Sequence, residues 1–254
     1  MRFVRRLLLI SVVLVVVLAV VAWTLPAQLA YRYFGGTLAP LALRDVGGTV
    51  WQGHATGVAA LGNDLGRLDW TLQPRPLLAG NVVAEVVLSG DVLNGHGVVE
   101  RTADGRLLLH DAIVTLPARV AAPVLAIPML ELLGTIEVRI ANARVLGLWP
   151  ADASGTATWH DAAVAGAAQA RLGELQATFA SAADGGIAGT VADLGGPLQL
   201  AGTFKASLGR YEAQARLSAR DNDPHVAEAL QFVGQPSEDG SRDLQIRGGQ
   251  LSAF

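Results

Sequence analysis

Five stretches of this chain alternate apolar and polar residues, and a period of two leaves few folds open. They are Leu68-Asp69-Trp70-Thr71-Leu72, Thr135-Ile136-Glu137-Val138-Arg139-Ile140, Leu198-Gln199-Leu200, Tyr211-Glu212-Ala213-Gln214-Ala215-Arg216-Leu217 and Asp243-Leu244-Gln245-Ile246-Arg247. Successive strand side chains point to opposite faces, so each stretch reads as a strand with one dry and one wet face. One-sided strands belong to antiparallel sheets, because parallel sheets are covered on both faces and read as unbroken apolar runs. Val82-Val83-Ala84-Glu85-Val86-Val87-Leu88 is more uniformly apolar and is expected to be a central, doubly covered strand. Turn signals at Gly62-Asn63, Ala103-Asp104-Gly105, Ala183-Asp184-Gly185-Gly186 and Glu238-Asp239-Gly240 fall between such stretches. The expected fold is mainly β: an antiparallel, curved or sandwich-like sheet with short amphipathic helices, preceded by one N-terminal transmembrane helix.

Two segments break the alternation. Residues 116–134 carry Pro117, Pro123 and Pro128 among apolar residues, so only short helical pieces are expected, packed as a lid or plug over the sheet. Residues 223–234 carry helix punctuation: Asp223 to cap, Pro224 for the first turn, Gly234 and Pro236 to stop. Val226, Leu230 and Val233 fall on one face of that helix.

The helix expected at the N-terminus rests on the run from Leu7 to Leu25, interrupted only by Ser11 and Thr24 and closed by Pro26. Nineteen helical residues rise ~28 Å, close to the hydrocarbon thickness of a bilayer. Arg2, Arg5 and Arg6 before the run, against Arg32 soon after it, place the N-terminus in the cytoplasm and the rest across the membrane. A cleaved secretory signal is the rival reading, but the run is long for one, and residues 27–30 lack the small-x-small spacing of a cleavage site. Trp23, Tyr31 and Tyr33 suit an interfacial aromatic belt. The expected organisation is a cytoplasmic tail (1–6), an anchor (7–25) and a periplasmic β-rich domain (26–254).

A faint repeat divides that domain into units of about 41–147 and 148–254. An offset of 107 lays Gly48-Thr49 on Gly155-Thr156, Leu65-Gly66 on Leu172-Gly173, Leu68 on Leu175 and Thr71 on Thr178. Chance likeness among glycine- and alanine-rich strands is the competing explanation.

Chemistry is thin. The net charge is −3 with no basic cluster outside the N-terminus, which argues against a nucleic-acid partner. Without cysteine there are no disulfides or thiolate ligands, and the five histidines stand singly with no metal-ligand spacing. Neither a metal nor a cofactor is expected. His160-Asp161 is a dyad in sequence only, since neighbouring strand residues face opposite ways. Asp64 and Asp69 read as solubilising carboxylates, Gly95-His96-Gly97 as a turn or bulge, and no G-x-S-x-G elbow occurs. An enzyme is not expected.

One motif stands out, Val46-Gly47-Gly48-Thr49-Val50-Trp51-Gln52-Gly53. Its glycines permit a tight turn or bulge, after which a strand would place Val50 on one face and Thr49 and Trp51 on the other. Trp51 is then either a large core residue or part of an edge that meets a partner. Gly48, Thr49, Trp51, Gln52 and Gly53, with Trp70, are the candidate interaction residues.

At this motif the chain resembles the type II secretion system protein N family of Gram-negative bacteria. The likeness begins at the basic, apolar N-terminus and the exit Leu25-Pro26-Ala27, and takes in Gly48-Thr49-Val50-Trp51-Gln52-Gly53. It continues through Leu68-Asp69-Trp70 and Pro74-Arg75-Pro76-Leu77-Leu78-Ala79-Gly80 to Ala229-Leu230-Gln231-Phe232-Val233-Gly234-Gln235 and Glu238-Asp239-Gly240-Ser241-Arg242. The resemblance implies a single-pass inner-membrane component of the machine that moves folded periplasmic proteins through an outer-membrane secretin. It implies no catalytic residues. The implied partners are other inner-membrane subunits of the machine, the secretin, and membrane lipid through the anchor. In pattern rather than motif the domain is also similar to AsmA-like lipid-handling proteins, whose curved sheets present an apolar concave face. A lipid-contacting periplasmic protein with an apolar groove is therefore the alternative.

Overall fold

A computed structural model describes residues 23–38, 41–60, 63–122, 129–146, 149–183, 185–207 and 210–249. The expected anchor lies almost wholly outside these residues. Among those described, no helix is long and apolar enough to cross a membrane.

The described strands form a single antiparallel sheet of fourteen. In chain order they are β1 (Leu41–Gly48), β2 (Gln52–Ala60), β3 (Asn63–Gln73), β4 (Val82–Ser89), β5 (Asn94–Arg101), β6 (Leu107–Pro117), β7 (Leu130–Leu146), β8 (Trp149–Gly166), β9 (Ala170–Ser181), β10 (Ile187–Asp193), β11 (Leu198–Ser207), β12 (Arg210–Ala219), β13 (Gln235–Pro236) and β14 (Arg242–Gly249). Each strand pairs with its predecessor up to β12; β14 then pairs with β12, and the two-residue β13 lies outside it. All five alternating stretches fall inside strands, in β3, β7, β11, β12 and β14. The sandwich alternative, which needs two sheets, does not form.

The sheet is nonetheless curved. Six steps of ~4.8 Å separate β7 from β14, about 29 Å if the sheet were flat. Yet Leu130 and Ile136 of β7 line the same cavity as Leu244 and Ile246 of β14. Bulges help to re-aim the inward side chains. Gly173 in β9 has φ +94°, and Leu172 and Leu175, three residues apart, are both buried. An inserted residue shifts the alternation by one, which a regular strand cannot do. Asp161 (φ +51°) sits at the register shift between Trp159 and Ala162 of β8.

Three short α-helices are described: α1 (Ala27–Phe34), α2 (Pro74–Leu77) and α3 (Pro224–Leu230). The Asp223 carboxylate accepts from the amides of His225 and Val226, both at 3.0 Å, and caps α3 with Pro224 in its first turn. Val226, Ala229 and Leu230 of this helix and Val233 beyond it are buried, and they pack on Leu172, Leu175, Leu198, Leu200 and Leu217 of the sheet. This is the main apolar core.

Two expectations are corrected. Val82–Leu88 lies in β4, but Glu85, Val87 and Ser89, which share one face, are exposed, so that face is open; the sheet is a single layer there. Of residues 116–134, expected as short helical pieces over the sheet, one such piece is described and the last five residues are strand. Pro117 ends β6, Ala118–Ala121 makes one 3-10 turn, and β7 already begins at Leu130. Leu130-Glu131-Leu132 alternates, so Leu130 and Leu132 enter the core from a strand. Residues 123–128 of that segment lie outside the described residues.

Candidate functional site

Residues 49–51 form the connection from β1 to β2, so the expected strand across Thr49, Val50 and Trp51 does not exist. The reason is Gly48, at φ +82°, where an added Cβ would stand 2.6 Å from the Gln52 carbonyl oxygen. The left-handed turn there ends β1. The Thr49 amide donates to the Gln52 carbonyl (2.8 Å) and the Gln52 amide to the Thr49 hydroxyl (3.1 Å), which closes the corner.

Trp70, one strand over, holds this corner from the side. Its indole N–H donates to the Val50 carbonyl at 3.1 Å, and the Leu72 amide to the Trp51 carbonyl at 2.7 Å. Gly53 leaves room for that indole, since a Cβ at position 53 would stand 2.4 Å from Trp70 Cζ2. Gly48, Thr49, Gln52, Gly53 and Trp70 therefore meet in one small corner, and Trp51 leaves it.

Trp51 is half-buried and lies outside the main core. Its ring stacks on Trp23, with centroids 5.6 Å apart and planes inclined by 25°. The contact continues along the backbone: the Val50 amide donates to the Leu25 carbonyl (3.0 Å), and Pro26 bridges to Thr49. Trp23 and Leu25 thus belong to the site, although their sequence signal spoke only of a membrane boundary. Beyond them α1 runs along the outer edge of β1. Ala27 is buried, and the Tyr31 hydroxyl accepts from the Leu43 amide at 2.9 Å. Tyr31 is therefore turned into the sheet, whereas Trp23 (64%) and Tyr33 (81%) are exposed.

A second feature lies at the other end of the chain. The curl of β7–β14 forms a partly open cavity of about 430 Å³, walled almost entirely by hydrocarbon, with Trp159, Leu175, Leu217, Val226 and Leu230 among its lining. The Trp159 indole N–H is satisfied by the Leu133 carbonyl at 2.8 Å, so it brings no free polar group to the wall. One rim of the core is tied down by Asp193, only 11% exposed. Its carboxylate accepts from the amides of Gly195 (3.2 Å) and Leu200 (2.9 Å) and from the Arg220 guanidinium (2.5 Å). Burial pushes this carboxyl up, but the two amides and Arg220 outweigh it and hold it below the usual carboxylate range.

The remaining ionisable groups are dispersed. His160 faces Glu174 at 3.0 Å rather than Asp161, and His110 faces Glu100 at 3.2 Å. Asp64 pairs with Arg44, and Asp69 with Arg67 at 2.8 Å, all four at least 43% exposed. Among the described residues, no group of three or more His, Cys, Asp or Glu could hold a metal ion.

The sequence model of the family described as Type II secretion system (T2SS), protein N matches residues 39–245. A protein of Vibrio cholerae serotype O1 (strain ATCC 39315 / El Tor Inaba N16961) named Type II secretion system protein N is 30% identical over 242 residues, covering 88% of this chain and 90% of that protein. No solved structure matches the chain.

Proposed function

The chain belongs to the type II secretion system protein N family, and from that membership we propose a non-enzymatic inner-membrane component of the secretion apparatus. In this reading its periplasmic sheet is a scaffold between inner-membrane subunits and the outer-membrane secretin. The observation that carries it is the extent of the family match, which runs from before β1 into β14 and so takes in nearly the whole sheet. Residues 7–25 are the anchor, with 1–6 in the cytoplasm and 26–254 in the periplasm. A reporter fused after Phe254 should be active only on the periplasmic side. Purification of the intact complex from native membranes should bring down other secretion subunits with this chain. Recovery of the chain alone, with secretion unchanged on its deletion, would refute the scaffold.

The domain is also read as two repeated units, about 41–147 and 148–254. In favour of this, an offset of 107 overlays β3–β6 on β9–β12, and β8 alone spans the positions of β1 and β2. Gly66 and Gly173 match under it, each at positive φ and each packed against a glycine in the connection that follows the next strand, Gly90 and Gly196.

A second reading, a lipid-contacting protein, is favoured by one observation, the hydrocarbon-walled cavity under α3. Its volume falls within the range of small-molecule sites. Lipid mass spectrometry on the purified complex decides between the two. Stoichiometric phospholipid, lost in Leu217→Asn without a drop in stability, would favour the lipid reading. Its absence leaves the cavity as core.

A further inference from the structure

The sheet has two ends, and strand direction sorts the connections between them. The β1–β2 corner and the β3–β4 connection, with α2 and Leu78, lie at one end. The β4–β5 connection with Val92 and the long β12–β14 connection lie at the other. Leu25, the last residue of the nineteen-residue apolar run, is already hydrogen-bonded to the first of these ends through the Val50 amide. No linker remains between the run and the sheet.

We propose that this end of the sheet is seated on the periplasmic leaflet of the bilayer, with Trp23, Leu25 and Leu78 in the headgroup layer and the motif of residues 46–53 as the joint. The inference rests on the anchor reading above. If residues 7–25 span the bilayer, the hydrocarbon boundary falls within a residue or two of the Trp23–Trp51 stack. Trp23 is then a boundary residue whose other face is fixed to the sheet. Leu78 is 93% exposed at that end, so seating the end in the headgroup layer costs no packing already made within the chain.

Charge favours the same orientation. The β3–β4 connection carries Arg75 and no acidic residue. The β12–β14 connection at the far end carries Asp221, Asp223, Glu228, Glu238 and Asp239 against Arg220. An anionic leaflet attracts the first and repels the second.

The chain has no cysteine, so single labels can be placed without altering other positions. Full-length Leu78→Cys and Val92→Cys proteins, each carrying an environment-sensitive fluorophore, are reconstituted in phosphatidylethanolamine–phosphatidylglycerol vesicles containing brominated lipid. The eight residues of β4 put the two labels about 27 Å apart along the strand. The Leu78 label should lose most of its emission and the Val92 label none. A flexible Gly/Ser insertion of about twelve residues between Thr24 and Leu25, with a reach of ~19 Å, should restore the Leu78 emission while the protein stays in the membrane. Quenching of both labels alike, or of neither in protein that resists carbonate extraction, overturns the seating and leaves the anchor standing. Release of the protein by carbonate removes the anchor reading, and this inference with it.

Discussion

From β7 onward the sheet closes on a shared apolar interior; from β1 to β6 it does not. Leucines of β7, β9, β11 and β12 converge under α3 with Val226, Leu230 and Val233. Among the described residues of β1–β6, the buried apolar side chains are Ala55, Val58 and Ala112. Strands of the same type and pairing thus gain stability from different sources. The late strands have burial at roughly 25 cal/mol per Å² of apolar surface. The early strands depend on their ladder, on Trp70 and Trp51 at the corner, and on α1 lying along the outer edge of β1. Pairing alone, without a buried face, gives a marginal sheet. The first half should open before the second.

The largest test removes bulk from the second half. Leu230→Ala should cost about 2–5 kcal/mol in the purified protein, through lost transfer energy and an enlarged cavity. Denaturant unfolding measures this; a loss below about 1 kcal/mol would mean that the cavity and not the chain governs that face. Next comes Asp193→Asn, which weakens a nearly buried charged acceptor and should cost about 1.5–3 kcal/mol near pH 7. Because the native carboxyl titrates below its unfolded value, its contribution is present above about pH 4 and is lost as pH falls through the folded value. The gap between wild type and Asp193→Asn should therefore narrow below pH 4, and a gap that widens there would contradict the assignment.

Smaller effects belong to the first half. Leu68→Ala removes a half-buried side chain from β3 and should cost about 1 kcal/mol, well short of Leu230→Ala. Equal losses would erase the contrast between the halves. Smallest of all is Arg67→Ala, which breaks an exposed ion pair with Asp69 and should leave the melting temperature unchanged at physiological salt. Amide exchange offers an independent check, with β9–β12 protected longer than β2–β5.

The strands were legible because the period-two pattern is local: one residue in, one residue out, whatever the strand later meets. The α3 helix was legible for a similar reason, since Asp223, Pro224 and its apolar face all lie within one short segment. What escaped depended on distant partners. Nothing in Val82–Leu88 says that only one side of β4 will be covered. Leu130 and Leu132 looked like part of a proline-rich plug because their strand is assigned by pairing with β8, not by composition. The corner was half legible. Its residues stand out in the sequence, but the local pattern offers Trp51 only a core or a partner, while its neighbour is Trp23, twenty-eight positions earlier, whose own signal is that of a membrane-interface aromatic.

The order in which the sheet is threaded has a consequence for how the chain acquires its structure. Strands β2 to β12 each need only the strand just before them, so pairing can advance as a zipper with short loops and little search. The side chains that close the interior, Val226, Leu230 and Val233, come near the end of the chain. Until they arrive, a long run of paired strands has an oily face and nothing laid across it. A nascent chain stalled before residue 224 should therefore be the form most prone to aggregation and the one that a holding chaperone binds best. Emergence of residues 224–233 should end that vulnerability in one step.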